Sequence, residues 1–173
     1  MKKREETLRA YLEQEGSSMK NAHESEFAIT VSLTVPGVGE VPLSGKLDRL
    51  DVKENGTVEV IDYKTGKVRS ENEIKGLTKS GDGGYYRQLV FYKLLLDKDG
   101  RYTMREGALH FVEPNEKGKC IIRSFTITEA EVAALEKELV EAAQAIADGS
   151  AFTVSCDPES CDYCDLVALL LAR

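Results

Sequence analysis

Across residues 26–35 every second position is apolar: Phe27, Ile29, Val31, Leu33 and Val35 share one face of an extended strand. Pro36-Gly37-Val38-Gly39 interrupts the alternation as a turn, and residues 41–52 return as a second strand. Asn55-Gly56 is a hairpin signal, because both residue types tolerate the positive φ of a tight turn. The third strand spans residues 57–64. Its Val58, Val60 and Ile61 fall on both faces, the mark of a strand buried within a sheet. Two further strands read at 107–112 and 119–127, around an Asn115-Glu-Lys-Gly118 turn.

Helical spacing occupies the rest. Residues 3–15 form a mostly polar helix with Leu8, Tyr11 and Leu12 on one side and no obvious packing partner. Residues 85–97 are a firmer helix, ended by Asp99-Gly100. Thr128 and Glu131 make a capping box that opens a long helix to about residue 148, where Gly149 stops it. A short apolar helix is expected over 162–173. Between the third strand and the second helix, residues 65–84 hold five glycines and many charges, and read as a long mobile loop with a helical turn near 71–77. This order predicts an α+β (α/β) fold, a mixed central sheet flanked by helices, in one domain over residues 1–173, with 149–173 as a cysteine-containing C-terminal segment.

Composition removes several classes. A chain of 173 residues can bury a real core, and 42% hydrophobic with 31% charged residues is not a disordered composition. No apolar run reaches the length of a membrane span, and the Met1-Lys-Lys-Arg-Glu-Glu start leads into no signal core. Four cysteines are too few for a secreted disulfide scaffold, so a cytoplasmic location and reduced thiols are expected. The net charge of −7 argues against a nucleic-acid partner until it is resolved along the chain. Residues 64–93 carry seven basic against three acidic side chains, whereas 129–165 carry ten acidic and one basic. The basic stretch supplies Lys67, Arg69, Lys75, Lys79 and Arg87 as candidate phosphate contacts, salt-dependent and sequence-neutral.

The candidate chemistry lies just before that stretch. Asp62 and Lys64 are two apart in a strand and project together, and the hairpin folds the Asp48 strand beside them. Two carboxylates on neighbouring strands suit a hard divalent cation such as Mg²⁺ or Mn²⁺, with the Tyr63 carbonyl as a further oxygen ligand. A lysine there can orient water and offset charge building on a phosphate. An Asp–Lys pair at a strand end can equally be a surface salt bridge worth ~0–1 kcal/mol.

The run Gly45-x-x-Asp48-Arg49, then Ile61-Asp62-Tyr63-Lys64-Thr65-Gly66, then Gln88-Leu89-x-x-Tyr92 resembles the PD-(D/E)xK nuclease superfamily, and within it the RecB/AddAB-type nuclease domain found at the C-terminus of bacterial DNA helicases. The resemblance implies a restriction-endonuclease-like core. It implies Asp48 and Asp62 as metal ligands, Lys64 as the catalytic lysine, and Gln88 and Tyr92 as helix residues reaching the site. It also implies a further acidic residue at Glu24 or Glu26, which the sequence does not separate. By itself, the setting of Tyr92 among Leu89, Phe91 and Leu95 also fits a core residue. The family carries a His on an upstream helix, whereas His23 precedes a strand and His110 sits inside one. The chain is therefore expected to be a fragment beginning after that helix. Some relatives hold an iron–sulfur cluster. Cys156, Cys161 and Cys164 match part of that pattern and are read as a remnant thiolate metal or cluster site, with no intact cluster expected.

Two functions are therefore expected to compete. One is a Mg²⁺-dependent deoxyribonuclease or exonuclease domain, with DNA and a helicase domain or subunit as partners in recombination and repair. The other is a catalytically degenerate nuclease-like module for DNA binding or helicase docking.

Overall fold

The computed structural model describes residues 2–20, 23–53 and 55–152. The helical segment expected at 162–173 and Cys156, Cys161 and Cys164 lie outside the described residues. The elements run α1 (Lys2–Glu15), a single 3-10 turn (Ser18–Lys20), β1 (His23–Val35), β2 (Gly39–Val52), β3 (Thr57–Lys64), α2 (Glu71–Ile74), α3 (Gly84–Asp99), β4 (Thr103–Phe111), β5 (Ile121–Phe125) and α4 (Glu129–Ala147).

The sheet is mixed, as the alternation predicts. Its strand order is β1-β2-β3-β4-β5, all neighbours antiparallel except β3 and β4. That parallel pair needs a crossover, which α2 and α3 supply. The β2–β3 hairpin closes where Asn55-Gly56 was expected to turn: Gly56 has φ 75° and donates its N–H to the Lys53 carbonyl.

One face of the sheet carries α3. Leu89, Val90, Leu94, Leu95 and Leu96 bury against Phe27, Ile29, Leu47, Leu50, Val60 and Leu109. Gly45 lets α3 approach closely: a Cβ would sit 2.5 Å from Leu95 Cδ1, which would have to shift. The start of α4 is tied to α3 by buried Lys93, which reaches Asp97 at 3.0 Å and Glu129 at 2.8 Å, and by the Tyr86 hydroxyl donating to Glu131 at 2.7 Å. The Thr128–Glu131 capping box forms as the sequence predicts, a device worth about 1 kcal/mol.

The opposite face is where α1 docks. No partner for this helix was evident in the sequence, yet Tyr11 is buried against Val112, Cys120 and Tyr63, and Gln14 exchanges two hydrogen bonds with the Cys120 backbone. The partners lie 52 to 109 positions from Tyr11, so no local pattern reveals them.

Residues 65–84, expected as a long mobile loop, fold closely on themselves. Ser70 caps α2 in a capping box with Glu73. Gly81 lies against Glu73 so tightly that a Cβ would meet the Glu73 carbonyl oxygen at 2.3 Å. The glycines that suggested mobility instead permit close backbone approach.

Candidate active site

The site forms where β1 and β2 cease to be regular, beside the end of β3. Leu47 and Leu50 both belong to the core under α3, while Arg49 between them bonds to groups on the other face. Same-face residues are thus three apart rather than two, and the alternation breaks at Asp48. β1 breaks at the same level: Glu24 and Phe27 both contact Tyr102, again three apart. Glu26 adopts φ 56°, an uncommon conformation for a residue with a side chain. Because both strands reverse together, pairing resumes in unchanged register, with Phe27 opposite Leu47 and Ser25 opposite Arg49. Irregularities of this kind re-aim side chains at functional sites.

The result places Asp48 at the junction of three strands. Pairing of β2 with β3 ends at Arg49 and Ile61, and beyond it the Tyr63 N–H donates to the Asp48 carboxylate at 2.9 Å. Asp48 also borders a cleft of about 370 Å³ with Met19, Ser25, Glu26, Arg49 and Tyr63. Of the two acidic candidates on β1, Glu26 is therefore the one beside Asp48. It pairs with Lys46, while Glu24 accepts a hydrogen bond from Tyr102 at 2.8 Å.

Asp62 is buried and central to a closed ring of polar contacts. Lys64 Nζ lies 2.6 Å from Asp62 Oδ2 and donates to Gln88 Oε1 at 2.6 Å. Gln88 Nε2 donates to the Tyr92 hydroxyl at 2.7 Å. That hydroxyl lies 3.3 Å from both Asp62 Oδ1 and the Lys46 carbonyl, which share its one proton. Tyr92 is thus a core residue and a site residue at once, and Gln88 and Tyr92 share the α3 face that the four-residue spacing implies. The sequence did not reveal Tyr85, whose ring lies 4.4 Å from Lys64 Nζ and 4.5 Å from the Arg69 guanidinium. Its only sequence signal is an aromatic at the opening of the helix.

Electrostatics mark Asp62 as the strained member. Burial pushes its carboxyl above the usual range. The Lys64 ammonium opposes that shift and the neighbouring Asp48 adds to it. Burial, reinforced by Asp62, pushes the Tyr92 hydroxyl up as well, so it remains a donor at neutral pH. Oδ2 is buried and is met by the Lys64 ammonium at 2.6 Å, with no other side-chain donor on it. Such an atom has an unused lone pair where a cation ligand is needed. On that observation Asp62 fits a divalent ion, with Asp48 alongside. Among the described residues no group of three or more His, Cys, Asp or Glu side chains converges as a metal site, so the remaining ligands would come from backbone oxygen or water.

The five basic candidates do not form one surface. Arg69 lies next to the ring, stacked on Tyr85 and 3.8 Å from Asp82. Lys67 lines a separate cleft with Glu113 and Glu116. Lys75 and Arg87 border a third, beside Glu131 and Glu138, with Lys75 5.1 Å from the Tyr86 ring. Lys79 is exposed on the loop. His110 is buried and accepts no role at the site: its Nδ1 lies 2.6 Å from the Tyr11 hydroxyl on the opposite face. Cys120 is buried too, its thiol donating to the Val112 carbonyl at 3.4 Å.

The family model of the PD-(D/E)XK nuclease superfamily matches residues 1–169. The chain belongs to the PD-(D/E)XK nuclease superfamily. Members of this superfamily generally use divalent metals, in keeping with the two carboxylates and lysine described above. No curated protein matches the chain. Among solved structures, the crystal structure of "Putative exonuclease" from Eubacterium rectale is 19% identical, with a TM-score of 0.55 over 95% of this chain and 59% of that one. The crystal structure of SSO0001 is also 19% identical, with a TM-score of 0.45 over 78% of this chain and 56% of that one. The first likeness supports the fold. The PD-(D/E)XK chain spans less than two thirds of either structure's length. Among the described residues no helix is long and apolar enough to cross a membrane.

Proposed function

We infer that this PD-(D/E)XK protein hydrolyses DNA phosphodiester bonds with a divalent ion, Mg²⁺ or Mn²⁺, held by Asp48, Asp62 and the Tyr63 carbonyl. The observation that carries the reading is the buried Asp62 carboxylate, whose Oδ2 meets the Lys64 ammonium at 2.6 Å and no other side-chain donor. The ion, when bound, supplies Lewis acidity toward a phosphoryl oxygen and a more acidic water. Lys64 presents its ammonium to the phosphate and offsets the charge that accumulates there. Gln88 holds the Lys64 ammonium in place, and Tyr92 holds both Gln88 and Asp62, so the lysine arrives pre-oriented. Arg69, Lys67, Lys75, Lys79 and Arg87 serve as phosphate contacts along the flanking DNA, Arg69 nearest the reacting bond. The likeness of the Asp48-Arg49, Asp62-x-Lys64 and Gln88-x-x-x-Tyr92 set to RecB/AddAB-type domains supports a place beside a DNA helicase in recombination and repair.

Cleavage of linear single- and double-stranded DNA in Mg²⁺ or Mn²⁺ is the test. It is expected to stop with chelator and to fall by about 10²–10⁴ in Lys64→Ala. Cleavage that survives this substitution removes Lys64 from the mechanism. The two-carboxylate count at the site favours a second reading, a degenerate module that binds DNA or docks on a helicase without catalysis. Calorimetry showing no divalent-ion binding at millimolar metal would select it.

A further inference from the structure

A second buried charged cluster lies directly behind the site and takes no part in the chemistry above. Arg49 is 2% exposed, yet its Nε and Nη2 each lie 2.6 Å from one oxygen of buried Asp51. Nη2 also donates to the Ser18 carbonyl at 3.0 Å, and Nη1 lies 3.4 Å from the Tyr63 hydroxyl. The Tyr63 ring packs edge-on against Tyr11 at 5.8 Å and His110 at 6.0 Å. Every charged atom here has a partner, so burial alone would be tolerated. What needs explaining is the location.

Arg49 directly follows Asp48, and Tyr63 directly follows Asp62. Asp62 faces Lys64 and Tyr92 on the α3 side, Asp48 sits at the break in β2 against the Tyr63 N–H, and the side chain that follows each carboxylate is gripped on the other face. The peptide between Asp62 and Tyr63 is held from both sides: its N–H by Asp48, its tyrosine by Arg49. β2–β3 pairing stops at Arg49 and Ile61, one residue short of the two carboxylates, so no ladder bond joins Asp48 directly to Asp62. We propose that Arg49 and Tyr63, clamped by Asp51 and by the segment from α1 to Ser18, are positioning residues that set the separation of Asp48 and Asp62 for a divalent ion. The proposal rests on the reading of those two carboxylates as metal ligands.

The test is the double variant Arg49→Met with Asp51→Leu. Replacing a buried ion pair by apolar groups of similar volume tends to leave stability unchanged or raised, so the fold should persist at a wild-type melting temperature. The clamp nevertheless is lost. The divalent-ion dissociation constant by calorimetry should then rise about tenfold, as for groups that orient metal ligands. The kcat for DNA cleavage should fall with it while KM for DNA holds. Wild-type ion affinity and kcat in a folded double variant would overturn the proposal. Should that variant fail to fold, Tyr63→Phe, which keeps the ring packing, is measured the same way with the same two outcomes. If the wild-type protein binds no divalent ion, the nuclease reading has failed, and exchange of the Tyr63 amide hydrogen decides the clamp alone. Faster exchange in the variant supports the clamp, and unchanged exchange overturns it.

Discussion

The two faces of the sheet bury charge in opposite ways. Behind it, Arg49 and Asp51 meet as a bidentate pair, and Tyr11 and His110 share a hydrogen bond. In front of it, Asp62 is equally buried but has only Lys64 on Oδ2 and a long contact from Tyr92 on Oδ1, and burial holds its carboxyl above the usual range. A satisfied buried pair contributes position. A buried carboxylate with few donors keeps lone pairs that a cation can use. The linkage signs differ accordingly. Asp62 binds its proton more tightly in the fold than in the unfolded chain, so its contribution to stability is lost as pH rises through the carboxylate range. The Lys64 ammonium limits that loss.

The largest expected effect falls on the front. Lys64→Ala should lower divalent-ion-dependent cleavage by about 10²–10⁴ while divalent-ion binding persists. An unchanged rate would make the front face as structural as the back. The next effect falls on the back. Arg49→Met alone strands the Asp51 carboxylate and should cost about 3–5 kcal/mol, read as a lower urea midpoint, while its combination with Asp51→Leu restores the midpoint. If the single and double variants unfold alike, the pair is not the unit described.

Third is a pH effect. Burial pushes His110 down to about 4, so it is neutral in the fold at neutral pH. A histidine in the unfolded chain protonates near 6.5. The unfolded state therefore takes up a proton first as the pH falls. The His110 contribution is complete above about pH 6.5 and is lost between there and pH 4, on the order of 3 kcal/mol. His110→Gln should flatten the urea midpoint across that window, and a slope that persists would contradict the assignment. The smallest effect returns to the front: Tyr92→Phe removes one donor from Asp62 and the anchor of Gln88, costing about 1 kcal/mol of stability. A larger fall in kcat than in stability would show that the ring orients Lys64 rather than merely packing α3.

Much of this was legible residue by residue. Alternation located β1 to β3, the Asn55-Gly56 pair placed the hairpin, and the capping box opened α4. The Asp48, Asp62-x-Lys64 and Gln88-x-x-x-Tyr92 set carried the superfamily. Its site roles remain proposals that the geometry supports at Asp62, Lys64, Gln88 and Tyr92. Less was legible where partners are distant. Arg49 stood out only as the end of the Gly45-x-x-Asp48-Arg49 motif and Asp51 not at all, although Arg-x-Asp between apolar strand residues was the available signal. The basic residues after Lys64 read as one stretch, but in the fold Lys67 lines one cleft, Lys75 and Arg87 another, and Arg69 stands beside Tyr85.

The sequence alone determined the elements, their order and the residue types of the site, because periodicity, turn chemistry and caps act over a few positions. Only the tertiary structure decided which face each carboxylate meets. The paired reversal at Glu26 and Asp48 needs two strands at once. The docking of Tyr11 on His110 joins residues 99 positions apart. Burial of Asp62 beside Lys64 depends on α3 closing over both. Contacts of this kind depend on partners brought together by folding, and their energies exist only once the sheet and its two flanking helices have excluded water.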